Sequence, residues 1–178
     1  MSYISVDEAI KQIITLGRGT LLAKIDIKSA FRLIPVHPAD RHLLAMEWKG
    51  DVYIDTCLPF GLRSAPKLFN VLADLLEWIL RHHRVSFLLH YLDDYLTMGP
   101  PQTQICQHNL RLLTEVCAML GIPLSLEKVK GPSTILEFLG ILLDTERMEA
   151  RLPAEKLTRI QATIQAERAR QSERSSPW

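Results

Sequence analysis

Phe87-Leu-Leu-His-Tyr-Leu-Asp-Asp-Tyr-Leu96 sets two adjacent acids inside an otherwise apolar, aromatic-rich run. Ser86-Phe-Leu-Leu-His90 and Tyr95-Leu-Thr-Met98 have strand character, so the spacing predicts paired strands with Tyr91-Leu-Asp-Asp94 between them. Neighbouring carboxylates raise each other's pKa unless a cation lies between them. An Asp-Asp dipeptide by itself is more often a solvated turn than a metal site. The flanking segments decide between these readings.

Upstream, Leu21-Leu-Ala-Lys-Ile-Asp-Ile27 reads as a buried strand, apolar on both faces apart from Lys24 and Asp26. A carboxylate buried unpaired costs several kcal/mol, so Asp26 needs a cation, a lysine or a cage of amides. Between the two acidic segments, Pro66 opens a helix with the stripe Leu68, Leu72, Leu75 and Ile79, running to about Arg81. Downstream, a second helix carries Ile105, Leu112, Val116 and Leu120 and stops at Gly121, and Leu124 to Val129 is a further strand candidate. The order strand, helix, strand–strand, helix, strand is the split βαβ (ferredoxin-like) plan. The fold class is therefore α+β: an antiparallel four-stranded sheet with two helices on one face. Its innermost strands are expected to be the one ending at Asp26 and the hairpin holding Asp93 and Asp94. Three hard oxygen donors at one sheet edge suit Mg²⁺, with Mn²⁺ as the alternative. Two such ions can activate a 3′-hydroxyl and stabilise a departing pyrophosphate in an in-line displacement. Nucleotide cyclases also place acids on a split βαβ sheet, so the plan alone leaves that alternative open.

The outer segments fill in the remainder. Ser5 and Glu8 form a capping box for a helix from Val6 to Leu16, ended by Gly17 and Gly19. Leu44 to Ile54 reads as a hairpin turned at Lys49-Gly50-Asp51, and Leu58-Pro-Phe-Gly-Leu-Arg-Ser-Ala-Pro66 as a loop. Ile135 to Leu143 and Met148 to Leu152 suggest another hairpin. Pro153 opens a last helix, striped by Leu157, Ile160 and Ile164, that ends at about Ala166, and Glu167 to Trp178 is expected to fray.

Composition bounds the function classes. The 178 residues are 47% hydrophobic and 23% charged, which excludes a wholly disordered chain. A net charge of +1 means that a polyanion must be held by local patches. No apolar run approaches the ~18 residues of a bilayer span, and the acidic start does not suit a signal peptide. Cys57, Cys106 and Cys117 form no C-x-x-C pair and read as reduced thiols. The expectation is an intracellular protein, cytoplasmic or nuclear, neither secreted nor in a membrane.

Five motifs then occur in a known order. Ile25-Asp-Ile-Lys-Ser-Ala-Phe31, Leu58-Pro-Phe-Gly-Leu-Arg-Ser-Ala-Pro66, Tyr91-Leu-Asp-Asp94, Leu120-Gly-Ile-Pro-Leu-Ser-Leu-Glu-Lys128 and Phe138-Leu-Gly140 resemble the palm motifs of reverse transcriptases. The resemblance covers about Leu21 to Leu152. Phe60, where retroviral enzymes carry Gln, is similar to the gypsy and DIRS-like retrotransposon groups, and Lys128 with Leu-Pro-Ala-Glu-Lys156 leans to the DIRS-like side.

The resemblance implies a role for each matching position. Asp26, Asp93 and Asp94 would bind the metal, with the Ile27 carbonyl adding to one ion. Phe31 would be the steric gate against a ribose 2′-hydroxyl, and Phe60 and Gly61 would lie beneath the incoming nucleotide. Arg63 and Lys67 would contact template phosphates, and Phe138, Leu139 and Gly140 would grip the primer end. Lys128 would protonate pyrophosphate, with Lys130 as the alternative. The implied partners are an RNA or DNA template–primer and deoxynucleoside triphosphates. The implied domains are a palm with a remnant of the fingers over residues 1–152 and the truncated start of a thumb over 153–178. Most of the fingers, the thumb and the ribonuclease H region belong to a full-length relative, so the implied chain is a retrotransposon polyprotein fragment, weak or inactive alone. The other reading is a catalytically silent retroelement module that binds nucleic acid or protein.

Overall fold

The computed structural model describes residues 4–174. Helix α1 (Val6–Leu16) comes first and ends at Gly17, whose φ of 94° suits a residue without a Cβ. Strand β1 (Leu21–Asp26) follows, then two short 3₁₀ turns and the hairpin β2 (Ala45–Trp48) and β3 (Asp51–Ile54). Helix α2 (Ala65–His82) leads to the hairpin β4 (Leu88–Tyr91) and β5 (Asp94–Gly99), and helix α3 (Ile105–Met119) to β6 (Lys130–Ser133). Strands β7 (Ile135–Phe138), β8 (Ile141–Asp144) and β9 (Glu149–Arg151) form a separate antiparallel sheet before helix α4 (Ala154–Arg174).

The main sheet has the order β4-β5-β1-β6, all antiparallel, as the split βαβ plan requires. The central pair is β5 and β1, while β4 lies at an edge. Alternation along β1 divides the residues between two cores. Ala23, Ile25 and Ile27 join Tyr95, Leu88 and the inner sides of α2 and α3 in the larger one. Leu22 joins Leu89, Leu96 and Met98 on the opposite face, where α1 and the β7–β8 hairpin cover them through Ala9, Ile13, Leu136 and Phe138. Each fully buried large side chain contributes about 1.5–3 kcal/mol.

Several expectations shift. Helix α2 buries Ala65, Phe69, Ala73, Leu76 and Leu80, one position round from the expected stripe, and leaves Leu68 and Leu75 about half exposed. The Tyr95 hydroxyl, donating to the Ala73 carbonyl at 3.0 Å, helps fix that rotation. Helix α3 likewise buries Cys106, Asn109, Leu110, Leu113, Val116 and Cys117 and exposes Ile105 and Leu120. Burial pushes the Cys106 thiol up to about 12 and that of Cys117 up to about 11, so neither is a ready nucleophile. The capping box does not form: Ser5 makes no side-chain cap bond, and Glu8 pairs with Lys11 at 3.4 Å instead.

The fourth strand of the sheet is Lys130–Ser133 and not Leu124 to Val129, which bends into a 3₁₀ turn at Leu126–Lys128. The segment meets β1 only at its end, where Leu124 bridges to Ile27 and the Ser125 N–H donates to the Asp26 carbonyl. Gly131, at φ 98°, is what lets β6 approach, because a Cβ there would collide with the Leu22 carbonyl oxygen and Ala23. The expected strand Ile135 to Leu143 is broken by a two-residue turn at Leu139 and Gly140, both at positive φ. Helix α4 reaches Arg174, beyond the expected end near Ala166, with Leu157, Ile160 and Ile164 exposed. Residues 175–178 of the tail expected to fray lie outside the described residues. No helix of the described residues is long and apolar enough to cross a membrane.

Candidate active site

The acidic residues meet where β1 and β5 end. Asp26 and Asp94 are register partners, so their side chains leave the same face of the sheet. Leu22 and Lys24 share that face on β1, paired with Met98 and Leu96 on β5. The apolar half is roofed by α1 and the β7–β8 hairpin, and the acids stand at its far end, on the face away from α2 and α3. Asp93 sits in the two-residue turn between Tyr91 and Asp94, behind Leu92 at φ 53°. That is a strained conformation for leucine, held because the Asp93 carbonyl accepts the Ile27 N–H at 3.0 Å and locks the turn to β1.

Like charges facing each other across a strand pair are unfavourable unless compensated. Burial, followed by repulsion from Asp26, lifts the Asp93 carboxyl above the ordinary range; Lys128 counteracts this. Burial also lifts Asp94, with Lys24 opposing and the other two acids adding. Asp26, only 6% exposed, uses both carboxylate oxygens. The Ser125 hydroxyl donates to Oδ1 at 2.7 Å and the Lys128 ammonium to Oδ2 at 2.9 Å, while the Ser125 N–H donates to the Asp26 carbonyl at 2.9 Å. The Lys128 ammonium is held above its usual value by this bond.

The donors fit a divalent cation in kind: three hard oxygen groups, two of them pushed towards protonation by burial and by the neighbouring acids. Among the described residues, no three acids, histidines or cysteines already stand at ligating separation. The Lys128 ammonium is the cation that Asp26 holds, so an ion would have to displace it and draw the carboxylates together.

The other expected site residues fall on both sides of this centre. Phe31 lies in the 3₁₀ turn Ala30–Leu33, just past β1, its ring edge-on to Phe60 at 5.0 Å and to Phe69 at 5.7 Å. Phe60 is 73% exposed, and Gly61 follows at φ 85°. Arg63 precedes α2, Lys67 occupies its first turn, and both are exposed. Phe138 is fully buried in the smaller core, which removes its side chain from contact with nucleic acid and leaves the Leu139-Gly140 turn as the accessible part of that motif. Lys156 ties the turn to α4, donating to the Gly140 carbonyl at 3.2 Å and to Glu137 at 3.0 Å. Lys130 is exposed on β6. Ser125 was missed from sequence, since it lay inside a recognised motif but read as an ordinary strand residue, and Lys24, noted as a polar break in β1, was given no role.

Comparison with known proteins agrees with this geometry. A family described as reverse transcriptase (RNA-dependent DNA polymerase) matches residues 4–143. The chain is 31% identical over 127 residues to the Gag-Pol polyprotein of baboon endogenous virus (strain M7), covering 67% of this chain and 7% of that protein. It is 28% identical over 136 residues to the retrovirus-related Pol polyprotein from transposon opus of Drosophila melanogaster, covering 76% of this chain and 13% of that one. The chain thus spans a small part of the curated relatives it matches. Among solved structures, a foamy viral protease-reverse transcriptase in complex with double-stranded DNA superposes with a TM-score of 0.70 at 22% identity, over 90% of this chain and 26% of that one. Another, in complex with an RNA/DNA hybrid, gives 0.63 at 24% identity over 79% of this chain and 18% of that one. With its five motifs in order, its split βαβ sheet and a family match over most of its length, the chain belongs to the reverse transcriptase family.

Proposed function

We propose that this chain carries the polymerising centre of a retroelement polyprotein, extending a primer on an RNA or DNA template with deoxynucleoside triphosphates. One observation supports this above the others: Asp26 and Asp94 face each other on the open end of the sheet, with Asp93 in the adjoining turn. Asp26, Asp93 and Asp94 would hold the divalent ion, Mg²⁺ or Mn²⁺, with the Ile27 carbonyl alongside. When bound, such an ion supplies Lewis acidity to the attacking hydroxyl and to the departing pyrophosphate.

The chain's own groups do the remainder. Phe31, wedged between Phe60 and Phe69, presents a ring held by its neighbours, and a rigid ring against C2′ excludes an extra oxygen. Phe60 offers an exposed face for stacking, and Gly61 permits close approach of the backbone. Arg63 and Lys67, both exposed, would contact template phosphates, and the Leu139-Gly140 turn would meet the primer strand. Lys128 Nζ, which keeps its proton, is the group to protonate the leaving pyrophosphate. In domain terms, residues 1–152 make a palm with part of the fingers, and 153–178 begin the thumb. Two deeply buried reduced thiols support a site of action inside the cell.

Incorporation of a labelled deoxynucleotide on a primed RNA, at high chain concentration with Mg²⁺ or Mn²⁺, tests this reading. Slow incorporation is expected, falling ~10²-fold or more in Asp93→Asn/Asp94→Asn. Equal incorporation by both chains contradicts the catalytic reading and favours a silent module that binds nucleic acid or protein.

A further inference from the structure

The 3₁₀ turn Leu126–Lys128, with the serine that precedes it, makes contacts that the expected role of Lys128 does not account for. Ser125 and Lys128 both reach Asp26 across about a hundred residues of sequence, and the turn is closed by the Lys128 N–H donating to the Ser125 carbonyl at 2.9 Å. One short segment therefore holds both oxygens of the acid that ends β1. Its two grips differ in kind. Ser125 is buried and holds Asp26 twice, through its hydroxyl to Oδ1 and its N–H to the carbonyl. Lys128 is 57% exposed and holds Oδ2 by a single ion pair.

Hydrogen bonds to a buried carboxylate are strong and directional. The Lys128 end of the pair reaches Asp26 from solvent, where its long side chain loses rotamer freedom to hold one oxygen and water competes for its ammonium. The first grip is built to stay and the second to exchange. Lys128 pairs directly with Asp26 alone, and its charge also opposes, more weakly, the rise of Asp93 and Asp94.

We propose that Ser125 is a positioning residue that fixes Asp26 Oδ1, leaving Oδ2 as the oxygen open to exchange, and that Lys128 is a built-in counter-cation which a divalent ion displaces from Oδ2. The inference rests on the reading of Asp26, Asp93 and Asp94 as an ion site. It adds that metal affinity is set by competition with a tethered ammonium, and that binding an ion frees Lys128 Nζ.

Titration of the metal-free chain with Mn²⁺, followed calorimetrically, tests both parts. Lys128→Met is expected to bind Mn²⁺ about three- to tenfold more tightly than the native chain, since the competitor is gone. Ser125→Ala is expected to bind about threefold or more weakly, with Ser125→Thr, which keeps the hydroxyl, restoring the native value. A purely structural serine would change the melting temperature without this pattern of affinities. The native chain gives an independent readout that needs no variant to fold: saturating Mn²⁺ should speed acetylation of Lys128 severalfold, read by mass spectrometry, with no such change in Asp94→Asn. Unchanged or weaker Mn²⁺ binding in Lys128→Met, unchanged binding in Ser125→Ala, or labelling indifferent to Mn²⁺, each overturns the proposal even when Asp94→Asn abolishes binding. Native Mn²⁺ affinity retained in Asp94→Asn overturns the underlying ion site as well.

Discussion

Asp94 faces Asp26 across the central strands, and burial raises its carboxyl and that of Asp93 above the value of an unfolded chain. The sign of the consequence follows from linkage. The metal-free folded state holds these protons to higher pH than the unfolded state does. The stability they contribute is complete below the unfolded value and is lost as pH rises through the folded values. Glu77 behaves oppositely: a hydrogen bond from His90 lowers it, so its contribution is present above the unfolded value and is lost in acid. Asp94→Asn mimics the protonated acid. It is expected to stabilise the metal-free chain at neutral pH, by less than about 1 kcal/mol because the site is half open to water. The gain should shrink on acidification to about pH 4, and Mn²⁺ should stabilise the native chain but not the variant. Thermal melts at the two pH values, with and without Mn²⁺, measure all three. At this scale the three aspartates were legible from residue type and spacing. Ser125 was not, because a serine's hydroxyl partner a hundred residues away leaves no mark in the local sequence.

Three element boundaries were legible from backbone rules, while the Leu139-Gly140 turn was not. Gly17 ends α1, Pro66 sits in the first turn of α2, and Lys49-Gly50, both at positive φ, turn the β2–β3 hairpin. Rotation of the helices was not legible, for a physical reason. Helix α2 gathers Lys67, Asn70, Asp74, Glu77 and Arg81 on one side, but its apolar side, from Val71, Leu75 and Trp78 round to Phe69, Leu76 and Leu80, is wider than the stripe the core takes, so its period does not say which flank faces inward. Phe69, against Phe31 and the sheet, decides it. Phe69→Ala is therefore expected to cost about 3–5 kcal/mol, and Leu68→Ala no more than about 1 kcal/mol, a contrast that urea denaturation of the two variants would reveal. Comparable losses would place the core on the other side of the helix. The fourth strand was missed for a related reason: Lys130-Gly-Pro-Ser133 has no strand propensity, and it pairs with β1 because Gly131 allows the close approach.

At the scale of the molecule, the plan followed from element order, and the two-sided use of the sheet followed from alternation along β1. One face is closed by α2 and α3. The other is closed over its apolar half only, so that Lys24, Asp26 and Asp94 stand at an open end beside Lys128. The sequence could place three acids on neighbouring strands but could not show that a lysine would already sit on one of them. The central claim is that this open end takes a divalent ion in place of that lysine. Anomalous diffraction from crystals of the chain grown with Mn²⁺ addresses it directly. The expected result is a peak shared by Asp26 Oδ2 and a carboxylate oxygen of Asp93 or Asp94, with Lys128 Nζ withdrawn. An intact Lys128–Asp26 pair with no peak among the three aspartates at saturating Mn²⁺ would contradict it.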